Sequence, residues 1–202
     1  MAGTNAEKAR VLAKSFFPQK PEADSVPEEY EYPSPCAKAE PITKEQIVNQ
    51  AHKMKPYKAP GPDGIPNVVL TKCIDLLVER LLHIYKAMLE RSLHYRPWKA
   101  FHTVVLRKHG KPRYDVAKAY QPVALLNTLW KLLAAIIAGQ ITYHSEKSQL
   151  LPDHHFGGRP SRSTTDAIHL LTHRIKSDWR KGKVAAVLFL DIEGAFPNAV
   201  PE

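Results

Sequence analysis

A long apolar period from Asn67 to about Arg91 sets the frame for this chain. Leu70, Cys73, Ile74, Leu77, Leu81, Ile84, Tyr85 and Met88 recur at helical spacing. This predicts one long helix, or two abutting ones, with a core-facing stripe. Residues 127 to about 146 repeat the pattern, with Leu129, Leu132, Leu133, Ile136, Ile137 and Ile141 inward and Asn127 or Thr128 as the cap. A shorter helix precedes them. Thr43 with Gln46 forms a capping box, Ile42 with Ile47 fits a hydrophobic staple, and Pro56 ends the run. The intervening KAPGPDGIP reads as a loop.

Strand signals are fewer. FHTVVLRK and YQPVALL, joined by GKPRYD and its flanks, predict a hairpin with a long connection. After the loop LPDHHFGGRP, Ser163 and Asp166 imitate a capping box and open a helix to about Arg180, which Gly182 stops. Val184 to Leu190 then predicts a buried strand delivering Asp191. At the other end, residues 5–17 predict a short helix. Six prolines between Pro18 and Pro41 mark an extended linker.

Charge is unevenly placed. Residues 1–45 carry 8 acids and 6 bases, whereas the remaining 157 carry 23 bases against 12 acids, or +11. A folded part so basic suits a polyanion such as nucleic acid, or is a generically basic surface. The bases concentrate in two stretches, Arg96–Lys118 and Arg159–Lys183, with seven in each. Arg159 and Arg162 flank a helix start, where backbone N–H groups favour phosphate. Asp191 suits Mg²⁺, which takes one or two carboxylates plus substrate phosphates; equally, a strand-end Asp can cap a turn. The two cysteines, Cys36 and Cys73, are far apart and lack a His cluster, which argues against a disulfide framework or a zinc site. No stretch has the length of an apolar membrane span, and the N-terminus lacks a signal-peptide core. An intracellular protein is expected, with nucleus and cytoplasm both open.

KAPGPDGIP, VVLRKHGKP, AYQPVALLN, HFGGRPSRSTTDAIHLL and VLFLDIEGAF follow one another in this order. In that series the chain resembles the reverse transcriptases of non-LTR (LINE-type) retrotransposons, particularly those of fungal type, over about residues 43–198. The resemblance implies an α+β fold class: the fingers and first palm elements of a right-hand polymerase, with an incomplete palm and no thumb. It divides the chain into an N-terminal helix and Pro-rich acidic linker (1–42) and a partial reverse transcriptase domain (43–202). It implies that Asp191 is the first catalytic aspartate, holding Mg²⁺ with the Ile192 carbonyl. It likewise implies that Phe196 is the aromatic that selects deoxynucleotides and that Lys108 grips the incoming triphosphate. Gln121 stands where the family usually has Arg in a Y-R-P pattern, and His109 replaces a usual Pro. Arg159, Arg162 and Ser163 match the loop and helix start that contact template. The implied partners are an RNA template and an RNA–DNA hybrid.

The family's aromatic-x-Asp-Asp element is missing, since no Asp-Asp pair occurs in the 202 residues. One aspartate cannot hold two Mg²⁺ ions against their mutual repulsion. The expectation is therefore a truncated RNA-directed DNA polymerase, inactive alone unless the missing palm and thumb are supplied in trans. Two further readings stay open: a non-catalytic basic module that binds RNA or an RNA–DNA hybrid, and a nonfunctional remnant.

Overall fold

The computed structural model of the chain describes residues 3–18, 29–35, 37–38 and 40–192. Five helices and one hairpin follow in the order α1 (Asn5–Phe16), α2 (Lys44–Lys53), α3 (Asn67–Glu90), β1 (His102–Arg107), β2 (Tyr120–Leu125), α4 (Thr128–Lys147) and α5 (Thr164–Arg180). Short 3₁₀ turns at Arg96–Lys99 and Ala117–Ala119 lead into β1 and β2.

Three of the helices start on the local code of their own sequence. Thr4 with Glu7, Thr43 with Gln46 and Ser163 with Asp166 each form a complete capping box, satisfying backbone N–H groups that helix geometry leaves free. Gly182, at φ 69°, adopts the left-handed conformation that ends α5.

The core lies where α2, α3 and α4 meet. Ile47 and Ala51 of α2, Leu70, Ile74, Leu81 and Tyr85 of α3, and Leu132, Leu133 and Ile136 of α4 are buried together, with Ile42 and Trp98 completing the cluster. The predicted stripe of α3 is thus a single 24-residue helix. Two residues of the expected stripes face solvent instead, Ile84 (45% exposed) and Ile141 (61%), while Leu82 is buried. The expected α3 positions follow a seven-residue repeat, which drifts by about 20° per heptad around a straight helix, so the ends of such a stripe turn away from a compact neighbour. Cys73 is a half-buried free thiol at the margin of this core.

β1 and β2 form a two-stranded antiparallel sheet with His102 opposite Leu125, Leu106 opposite Gln121 and Arg107 opposite Tyr120. The strand expected over 184–190 does not form. Residues 183–192 run without a ladder partner among the described residues, with Val184 96% exposed and Leu188, Phe189 and Leu190 at least 80% exposed. A strand is defined by its neighbour's hydrogen bonds, and an apolar run without one stays an extended segment.

Candidate nucleic-acid and nucleotide interface

The loop between α2 and α3, KAPGPDGIP, grips the start of α4. Gly61 packs so closely on the chain leaving β2 that a Cβ there would lie 2.5 Å from Leu126 C and Asn127 N. Beside it, the Asp63 backbone N–H donates to Asn127 Oδ1 (3.1 Å), and Asp63 Oδ2 accepts from the Thr128 N–H (3.3 Å). Thr128 Oγ1 donates to the Ile65 carbonyl (2.6 Å), and Lys131 Nζ donates to the Ala59 carbonyl (3.2 Å). Asn127 makes no side-chain cap bond of its own. The expected local cap on α4 is therefore corrected: Asp63 supplies the acceptor from 65 residues upstream. This clamp fixes the exit of β2 and hence the base of the hairpin.

Lys108 and Gln121 come together on that hairpin. Leu106 pairs with Gln121, and the ladder continues as the Lys108 N–H donates to the Ala119 carbonyl (2.9 Å). Side chains alternate across a strand, so Val104, Leu106 and Lys108 share a face with Gln121 and Val123. Lys108, Gln121, Val104 and Leu106 are all exposed there. Tyr114 O–H donates to the Lys108 carbonyl (2.9 Å) and Tyr120 O–H to the Tyr114 carbonyl (2.8 Å), stiffening the connection from inside. The Arg107 guanidinium covers the Tyr114 ring at 5.1 Å. The face offers one flexible cation beside a neutral carboxamide and apolar surface.

Arg159, Arg162 and Ser163 form a second cluster, in the loop between α4 and α5. Arg159 Nε and Nη2 donate to the two Glu146 carboxylate oxygens (2.8 and 2.7 Å), and Nη1 donates to the Pro152 carbonyl (2.8 Å). Its side chain is only 8% exposed. This bidentate bond from Arg159 is the chief cause that holds the Glu146 carboxyl below its ordinary range, and in return it raises Arg159. The expectation of a phosphate contact at Arg159 meets a guanidinium already committed to a carboxylate and a carbonyl; its geometry is that of a loop clamp. Arg162, half-buried, donates to the Asp153 carbonyl and lies over the Phe156 ring at 5.6 Å. Ser163 Oγ donates to Asp166 Oδ2 (2.7 Å) and accepts from the Asp166 N–H (3.2 Å), so the hydroxyl is occupied as the α5 cap. Those bonds from Ser163 hold the Asp166 carboxyl low, placing a negative charge at the helix start. Lys108 and Gln121 make no hydrogen bond to this second cluster.

Asp191 and Ile192 end the described chain, both exposed, and Phe196 lies outside the described residues. Among the described residues no group of three or more His, Cys, Asp or Glu side chains converges as metal ligands. Asp191 with one carbonyl falls short of the oxygen set that a pair of Mg²⁺ ions requires. No helix among the described residues is long and apolar enough to cross a membrane.

No protein-family profile matches the chain. Individual proteins do. It is 31% identical, over 77% of its length, to a probable RNA-directed DNA polymerase from transposon BS of Drosophila melanogaster. It is 29% identical over 78% of its length to the RNA-directed DNA polymerase from mobile element jockey of Drosophila funebris, and 29% identical over 80% to a probable RNA-directed DNA polymerase from transposon X-element of Drosophila melanogaster. In each case the chain spans only 17% of the relative's length. The clamp, the hairpin and the Arg159 loop fall within a chain that is, over about three quarters of its length, homologous to a segment of the RNA-directed DNA polymerases of transposable elements.

Proposed function

We propose that this chain is the fingers portion, with the first palm aspartate, of a non-LTR retrotransposon reverse transcriptase, and that on its own it binds nucleic acid without polymerising. The similarity to mobile-element RNA-directed DNA polymerases over about three quarters of the chain carries this reading. The narrower placing among fungal-type elements rests on the motif series alone, since the matched relatives are insect elements.

Under this reading the hairpin face contacts the nucleotide triphosphate through Lys108, with Gln121 as a neutral hydrogen-bonding neighbour. Arg162, which stands next to the α5 start and has a single hydrogen bond to the Asp153 carbonyl, contacts the template backbone. Arg159 and Ser163 shape that contact by holding the loop and the helix start. Phe196 walls the sugar. Asp191 and the Ile192 carbonyl are a partial Mg²⁺ ligand set, to which further carboxylates must be added from the remaining palm.

Primer extension on an RNA template tests the reading. The 202-residue chain gives no Mg²⁺-dependent extension, and extension that Asp191→Ala abolishes would refute its incompleteness. Binding of an RNA–DNA hybrid falls steeply with salt, because displaced counterions drive it. Arg162→Ala weakens that binding and lowers its salt slope, whereas unchanged affinity removes the template contact. A basic module that binds RNA or hybrid without belonging to a polymerase would show the same salt slope. It would gain nothing from Gln121→Arg, which in a nucleotide site strengthens triphosphate binding.

A further inference from the structure

Between α2 and α4 lies a cleft of about 380 Å³, whose His144 end stands two residues before the Glu146 that holds Arg159. Its volume falls within the range of small-molecule sites, about 300–1,000 Å³. Two features of its walls bear on what it could hold. Gly139 stands in the interior of α4, where glycine is destabilising relative to alanine. A Cβ built on it meets nothing within 4 Å, so no neighbour requires its absence. Five residues further on, His144 Nε2 is buried and makes no hydrogen bond, with the Glu40 carboxylate 3.8 Å away as an ion-pair neighbour when the ring is protonated. The open floor at Gly139 gives the cleft room, and the His144 ring gives its wall a polar atom.

The lining selects the kind of occupant. Asn49 and Gln50 line the α2 side, and neither carboxamide makes a hydrogen bond among the described residues. A carboxamide offers a donor and an acceptor side by side, which matches the edge of a base. Tyr143, 55% exposed, stands on the α4 side with Lys147 Nζ 5.6 Å from its ring centroid, so a base stacking there would take the other face or displace that cation, and Lys53 provides a cation for a phosphate. Glu40 closes one end, where its carbonyl accepts from Gln140 Nε2 (3.1 Å). The excess of 11 positive charges over residues 46–202 favours a polyanion over an acidic or neutral peptide.

We infer that the α2–α4 cleft binds an unpaired nucleobase, from a single-stranded RNA or a free nucleotide, with His144 and the Asn49 and Gln50 carboxamides on its polar edge. The inference rests on the proposed nucleic-acid-binding reading and adds to it a site that reads bases. Gly139→Leu fills the cleft floor with a better helix former, so the thermal midpoint holds or rises. Anisotropy of a fluorescein-labelled ten-nucleotide oligoadenylate then shows affinity falling by roughly 5- to 150-fold, the range for losing one base–aromatic contact. An abasic strand of the same length binds wild type and variant alike. Gln50→Leu, from the opposite wall, repeats the loss independently of α4. Competition by AMP against wild type alone assigns the site to free nucleotides, and competition by strand alone assigns it to RNA. Equal oligoadenylate affinity for wild type and both variants overturns the cleft while leaving the polyanion-binding reading intact. Equal losses for abasic and base-containing strands overturn the base assignment. Absence of binding by any strand or mononucleotide overturns inference and reading together, and leaves the cleft to another class of ligand.

Discussion

A single methyl group at residue 61 would be enough to part the two halves of the clamp. The Cβ of Gly61→Ala would stand 2.5 Å from backbone atoms of Leu126 and Asn127, and backbone cannot rotate away as a flexible side chain can. Overpacking of this kind costs about 1–3 kcal/mol. Asp63→Ala removes the Thr128 cap and costs about 0.5–2 kcal/mol. Urea unfolding of both single variants and of the double variant checks these figures. The double loss falls short of the sum of the singles, because either change alone releases the same loop. At this scale the sequence was only half legible. KAPGPDGIP announces a turn by composition, but its partner lies 65 residues away and no local pattern names it. Arg159 illustrates the same limit. A basic residue beside a helix start reads as a phosphate contact until Glu146, 13 residues earlier, is seen to hold it.

Among the elements, the loop between α4 and α5 depends on one ion pair. Glu146 titrates below its ordinary value of 4.5 in the folded chain, chiefly because Arg159 hydrogen-bonds its charged form. The folded carboxylate therefore binds its proton less readily than the unfolded one. The resulting stabilisation is complete above pH 4.5 and is lost as pH falls below that value through the lowered one. Hydrogen exchange across residues 149–163 should accelerate over that interval while α3 stays protected. Glu146→Gln should bring the fast exchange to neutral pH and flatten its pH dependence. The helices themselves were readable because their signals are local: a capping box is complete within four residues, and an apolar stripe repeats within eight. The run at 184–190 carries an equally clear strand signal, yet strand formation depends on a neighbour that no residue of the run encodes.

For the molecule as a whole, the tightly packed α2–α3–α4 core contrasts with the apolar surface that follows it. Ile168 and Trp179 of α5 are 64% and 63% exposed, and Leu188, Phe189, Leu190 and Ile192 lie open beyond them. An apolar segment with unpaired backbone is a template for association. Sedimentation velocity should show this chain self-associating as its concentration rises, and Leu188→Lys should shift it toward monomer without lowering the melting temperature. A melting temperature that falls with the substitution would mean that Leu188 is packed, contrary to the structure.

The reach of Asp63 also bears on the order of events during synthesis. A chain made from its N-terminus has exposed Ile47, the clamp loop and much of α3 before Thr128 leaves the ribosome. The acceptor for α4 is already waiting when the helix that needs it emerges. Helix nucleation is the unfavourable step in helix formation, and the Asp63 acceptor for the first turn of α4 is synthesised before that turn. The segment that runs on from β2 is born next to the surface that will seat it.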